Sequence, residues 1–137
     1  MGSRGRKPFA ALGLVGAVGV LAEIPRPAPP DDLSVEQSAE WRVIVNRLSA
    51  DWFPAETHAM LAQYCRHVIA ARRIGQLIAR VESGEEIDLQ EYDKLLKMQD
   101  REGRAISSLA TRMRMTQHSM YSAKKSRGAT SIGKPWE

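Results

Sequence analysis

The sequence predicts a mainly α-helical chain. A short helix precedes a long antiparallel helical hairpin, with flexible basic segments at either end. Three observations carry this. Aromatic residues are few, at 6%, while Ala, Leu, Arg and Glu are common, which favours helix. Apolar residues recur in steps of three and four from Trp41 to Met113. The four prolines of EIPRPAPPDDL fall before that periodic stretch, where fixed φ and missing amides give an extended linker.

The elements follow in order. Residues 1–33 read as a basic, apolar and then proline-rich arm and linker, residues 34–114 as a helical oligomerisation core, and residues 115–137 as a basic tail. Ser34 with Gln37 has the spacing of a capping box, in which two side chains satisfy free amides at a helix start. Trp41, Ile44, Val45 and Leu48 then share one face, which predicts a first helix over 35–50. The DWFP sequence, residues 51–54, breaks it. Pro54 suits the first turn of a second helix of roughly 27 residues, about 40 Å long. Its stripe is Leu61, Tyr64, Cys65, Val68, Ala71, Leu77, Ile78 and Val81. The turn Ser83–Glu86 ends it. Asp88 and Glu91 form a second capping pair, and Leu89, Tyr92, Leu96, Gln99, Gly103, Ile106, Ala110 and Met113 form a heptad-like seam. Gly103 would permit close approach of another helix. Two long helices in a thin layer cannot bury both faces. The expectation is lateral association of copies into a ring, with Tyr92, Leu96, Ile106 and Met113 as oligomerisation residues.

The net charge of +4 is unevenly spread. Residues 1–30 hold four basic groups against one acidic, residues 31–111 ten against fourteen, and residues 112–137 six against one. An acidic middle between basic ends fits ends that meet a polyanion. The lone Cys65 allows no internal disulfide, which favours a reducing compartment.

Little in the chain asks for catalysis. Gly128, Gly133 and Lys134 have the spacing of a phosphate-binding loop, but Pro135 stands where a magnesium-binding Ser or Thr is needed. Cys65 and His67, two apart on a helix, point to different faces, and His58 and His118 complete no set at zinc spacing. Neither a catalytic residue, a metal nor a cofactor is expected.

The start MGSRGRKPFAALGLVGAVGVLAE has two readings. Basic residues followed by an apolar run, Phe9 to Ala22, suit a signal peptide cleaved after Ala22. The run is too short to span a bilayer. Arg4-Gly5-Arg6 with Lys7 suits an arm in a narrow, negative DNA groove. On chemistry alone both stand.

Five stretches in order then resemble one family. They are RGRKP (4–8), the proline-rich linker, L-S-x-E-x-x-x-x-W-R-x-I (33–44), ETHAMLAQYCRH (56–67) and MRMTQHSMYSAKK (113–125). Together they look like the small subunits of tailed-phage terminases. The sequence departs from that family in the apolar stretch 9–22 and at Met115 and Met120. The resemblance implies a ring-forming, non-enzymatic DNA-packaging component in the bacterial host cytoplasm, away from membranes. Its partners would be double-stranded viral DNA, the terminase large subunit and copies of itself. The resemblance favours the arm over the signal peptide. It places Arg4, Arg6, Lys7, Arg112, Arg114, Lys124, Lys125 and Arg127 on DNA. An exported helical protein without residues 1–22 and a cytoplasmic helical adaptor that binds no nucleic acid are the alternatives.

Overall fold

The computed structural model describes residues 24–117, and the expectations for residues 1–23 and 118–137 lie outside that range. Within it the chain is mainly helical: α1 (Val35–Arg47), a 3-10 turn (Ala55–Thr57), α2 (His58–Glu82) and α3 (Leu89–Arg112), with no strand among the described residues.

The capping box forms. Ser34 Oγ accepts from the Gln37 amide at 3.3 Å, and Gln37 Oε1 accepts from the Ser34 amide at 3.0 Å. Two orphan donors are thereby satisfied at the start of α1. The helix ends at Arg47, three residues before the expected limit, because Leu48 is extended at φ −99° and ψ 167°. The carbonyls freed there are taken up from outside the helix: the Arg26 guanidinium donates to Val45 O and to Leu48 O.

Pro54 does not sit in the first turn of α2 as the sequence suggested. It is extended and precedes the 3-10 turn, where its carbonyl accepts from the Thr57 amide at 2.9 Å and from Thr57 Oγ1 at 2.8 Å. Asp88 caps α3 through Oδ1, which accepts from the Gln90 and Glu91 amides. The Glu91 side chain returns no bond, so this is a simple N-cap rather than a box.

α1 packs on the first half of α2, and α3 packs along α2. Tyr92 bonds Glu82, His67 bonds Glu102, and Trp52 bonds Met113, so residue numbers fall along one side as they rise along the other. The core sits where α1, the 48–57 connection, the first half of α2 and the end of α3 converge. Leu33, Trp41, Ile44, Val45, Phe53, Leu61, Ala62, Cys65 and Met113 form it. Trp41 is fully buried, and its indole N–H is not wasted: Nε1 donates to Pro27 O at 2.9 Å. His58 stands edge-on to the ring at 5.7 Å between centroids, with its Nε2 3.1 Å from Phe53 O.

The proline-rich stretch forms neither helix nor strand, and it is part of the packed body. Pro27 takes the Trp41 bond, Asp32 pairs with Arg66 at 2.5 Å, Leu33 is buried, and its amide bonds Pro30 O. Proline removes donors but keeps carbonyl acceptors, and here those acceptors are used.

Away from this core the structure thins to two helices. Ile78 and Leu95 are buried there. Leu77, placed on the inner stripe by spacing, is 43% exposed instead. Beyond the reach of α1, only α3 packs on α2 among the described residues, so the side of the stripe that carries Leu77 stays open.

Candidate nucleic-acid interface

Of the eight DNA-contact candidates, Arg4, Arg6, Lys7, Lys124, Lys125 and Arg127 lie outside the described residues. Arg112 and Arg114 lie within them, both exposed, at the end of α3. Their setting is rigid. The Arg114 amide bonds Thr111 O at 3.1 Å, and the Met115 amide reaches back to Ala110 O at 2.8 Å. This pair of bonds is a Schellman motif, with Met113 as the C-cap and Arg114 at the position after it. That position requires left-handed backbone, and Arg114 has φ 58°. Glycine is the usual occupant, and an L side chain there is strained.

Between the two arginines Met113 is buried, and Met115 packs against the same core. Trp52 Nε1 donates to Met113 O at 3.1 Å, which ties the exit of α3 to the loop before α2. Two cations are therefore held outward by a residue anchored inward. Arg112 also lies in the last turn, where the negative end of the helix favours a cation.

The four oligomerisation candidates do not share one face. Leu96 is 39% exposed, and Leu89 at the head of the same seam is 74% exposed. Tyr92 and Ile106 are half-buried, and Met113 is buried in the chain's own core. A heptad repeat drifts by about 20° per heptad on a straight α-helix. Over this seam the drift carries the early members outward and the late ones inward. Met113 is thus committed to the core of its own chain. Among the described residues Gly103 has no heavy atom within 4 Å of where a Cβ would stand, so none of them needs it to be glycine. The Tyr92 hydroxyl donates to Glu82 Oε1 at 2.9 Å, and this bond to a carboxylate is the first cause that raises its pKa.

Polar side-chain pairs join the helices. Glu40 with Arg72 (2.7 Å) and Glu36 with Arg73 (3.1 Å) join α1 to α2, and His67 Nδ1 lies 2.6 Å from Glu102 Oε2 between α2 and α3. A groove of about 460 Å³ runs between α1 and α2 beside Val43 and Ile69, and its charged rim is closed by the two arginine pairs. Cys65 lies fully buried below. Burial first, and Glu40 second, push its thiol up to about 12, which leaves it protonated and a poor nucleophile. Among the described residues no group of three or more His, Cys, Asp or Glu converges on a metal position. No helix among them is long and apolar enough to cross a membrane.

The charge asymmetry sharpens once the folded body is delimited. Residues 24–117 hold thirteen basic and fourteen acidic side chains. The excess of positive charge lies in the flanks: three basic against one acidic in residues 1–23, and four against one in residues 118–137. Sequence reasoning missed Arg26 as a structural group, though an arginine among prolines has few local partners and must look further along the chain. Comparison with known protein families, with curated proteins and with solved structures gives no match to this chain.

Proposed function

We propose that the protein is a DNA-packaging component of the terminase small-subunit type, which binds double-stranded viral DNA and recruits or regulates a large ATPase/nuclease subunit in the bacterial cytoplasm. The observation that carries the reading is the partition of charge. Residues 24–117 carry a net charge of −1, while residues 1–23 carry +2 and residues 118–137 carry +3, so positive charge is concentrated toward the two ends of the sequence. Such a distribution draws the flanks to phosphates and leaves the body free for protein contacts. The order of the five motif stretches supports the particular type. The two long helices act as an antiparallel hairpin, and hairpins associate side by side into a ring. Exposed apolar side chains on the thin part, Leu77, Leu89, Leu96 and Met98, support that association.

The test is duplex binding by the full chain across a salt series. Counterion release predicts that log affinity falls linearly with log salt, at about −0.9 per phosphate contacted. Replacing Lys124, Lys125 and Arg127 by Ala should lower affinity and flatten that slope by up to about 3 per engaged subunit. Identical curves for parent and variant refute the role of the tail. Recovery of the protein from periplasm with Glu23 as its first residue refutes the whole assignment in favour of export.

A further inference from the structure

The outer face of α3 carries a straight line of cations. Lys94, Lys97, Arg101, Arg104 and Arg112 are all exposed. At 3.6 residues per turn they fall within an arc of about 80°, turned well away from the buried Leu95. Asp93 pairs with Lys97 at 2.6 Å and Asp100 with Arg104 at 2.9 Å. Both are exposed i,i+4 pairs, screened by solvent and weak, so phosphate can replace the carboxylate at little cost. The other three have no partner among the described residues. They stand seven and eleven residues apart, which is close to two and three whole turns, and so lie on one line along the helix. A helix face that served only to keep the protein soluble would have no reason to align its uncompensated charges.

We propose that this stripe is a second DNA-contact surface, one that lies along the phosphate backbone of a duplex. The inference rests on the DNA-binding reading above and adds to it a fixed surface on the folded body. From Lys94 to Arg112 the line is about 27 Å long, at 1.5 Å per residue. A duplex presents one charge per about 1.7 Å of axis, or roughly sixteen phosphates over that length. A straight, rigid row of cations suits a regular rod of charge. Contacts to phosphates carry no sequence information, so a contact of this kind is independent of sequence. The stripe ends at Arg112, two residues from Arg114, so it is continuous with the cations at the exit of α3.

The experiment compares four full-length proteins, the last of them a charge-conserving variant, on a duplex of about 30 base pairs, by fluorescence anisotropy over roughly 50–200 mM salt. One is the parent. One is Lys94→Gln with Arg101→Gln. The third is Arg42→Gln with Arg80→Gln, which removes the same charge from exposed positions on α1 and α2. The stripe variant should lose about tenfold or more in affinity, with the salt slope flattened by about 1.8 per engaged subunit. The control should keep the parent's slope. Lys94→Arg with Arg101→Lys, which keeps both charges, should bind as the parent does, and thermal melts of all variants should coincide. Equal losses in the stripe variant and the control, or no loss in either, overturn the stripe and leave the proposed function standing. A parent that fails to bind duplex at the lowest salt overturns both. Stripe-dependent binding to phosphatidylserine vesicles without duplex binding overturns DNA as the partner.

Discussion

Arg114 carries a cost that one substitution would remove. Its backbone is left-handed, at φ 58°, in the Schellman turn that closes α3. An L side chain there costs about 1–2 kcal/mol, and glycine avoids this. Glycine also brings a penalty of roughly 0.5–1 kcal/mol, because the unfolded chain gains freedom. Arg114→Gly should therefore stabilise the protein by about 0.5–1 kcal/mol net. At about 2.1 cal/mol/K per residue, the body from 24 to 117 unfolds with an entropy near 0.2 kcal/mol/K, so Tm should rise by roughly 2–5 °C. Arg114→Ala loses the same cation and the same favourable position at the helix end, yet keeps the strain. It should melt at or slightly below the parent, within about 0.5 kcal/mol. The assay is thermal unfolding followed by far-UV circular dichroism. If Gly and Ala variants melt together, strain at this position is not being stored and the reasoning fails. In the DNA assay the two variants should instead behave alike, since both have lost the charge. A strained residue that improves stability on removal but weakens binding is the pattern expected where backbone strain is tolerated for function.

Other outcomes can be checked alongside. Arg26→Ala leaves the Val45 and Leu48 carbonyls without their charged donor. It should cost about 1.5–3 kcal/mol in denaturant unfolding and raise amide hydrogen exchange at the end of α1, while Arg42→Ala, exposed on the same helix, should change little. Cys65 is held protonated by burial, with its pKa raised from 9.0 to about 12. Between those values the unfolded chain releases a proton that the folded chain keeps, so stability should fall as pH rises from 9 towards 12. Cys65→Ser should remove that contribution, and the native thiol should resist disulfide reagents at pH 8 until the chain is unfolded, a result that any rapid native-state labelling would contradict.

Much of the helical body was legible in the sequence because local signals and tertiary packing agree there. Ser34 and Gln37 cap α1 as their spacing requires, and Trp41, Ile44 and Val45 fill the core on the expected face. The errors lie where a distant group decided the matter. The end of α1 depends on Arg26, nineteen residues from Val45, and no periodicity reports such a bond. The proline-rich stretch read as a linker by composition, yet its carbonyls receive Trp41 while Asp32 holds Arg66. Composition shows which donors are missing but not which acceptors a later residue will use. The seam on α3 was legible as spacing but not as a direction in space. A repeat of seven on a helix of 3.6 turns slowly, so Leu89 and Met113 belong to one pattern in sequence and to opposite surroundings in the fold. Of the candidate interface, the alignment of Lys94, Arg101 and Arg112 needed only counting, but its meaning depended on knowing that the opposite face is buried against α2.

The same geometry explains why α3 buries so little and still holds its place. Of its twenty-four residues only Leu95 is buried, so its own apolar contacts alone would anchor it weakly. It is fixed instead at spaced points along its length. Asp88 caps its start, Tyr92 and Glu102 bond Glu82 and His67 of α2, and the Met113 side chain closes the core at its end. Fixing a helix at points rather than along a broad seam leaves its remaining surface uncommitted. That surface divides in two. Leu89 and Leu96 lie along one flank, and the five cations occupy the outermost arc. Under the proposed function, an apolar flank beside a charged outer line would let one helix meet a neighbouring copy and a polyanion at once, without either contact covering the other. A helix packed on both sides by its own chain would lack that freedom, so on this proposal the thin layer would have a use as well as a structural cost.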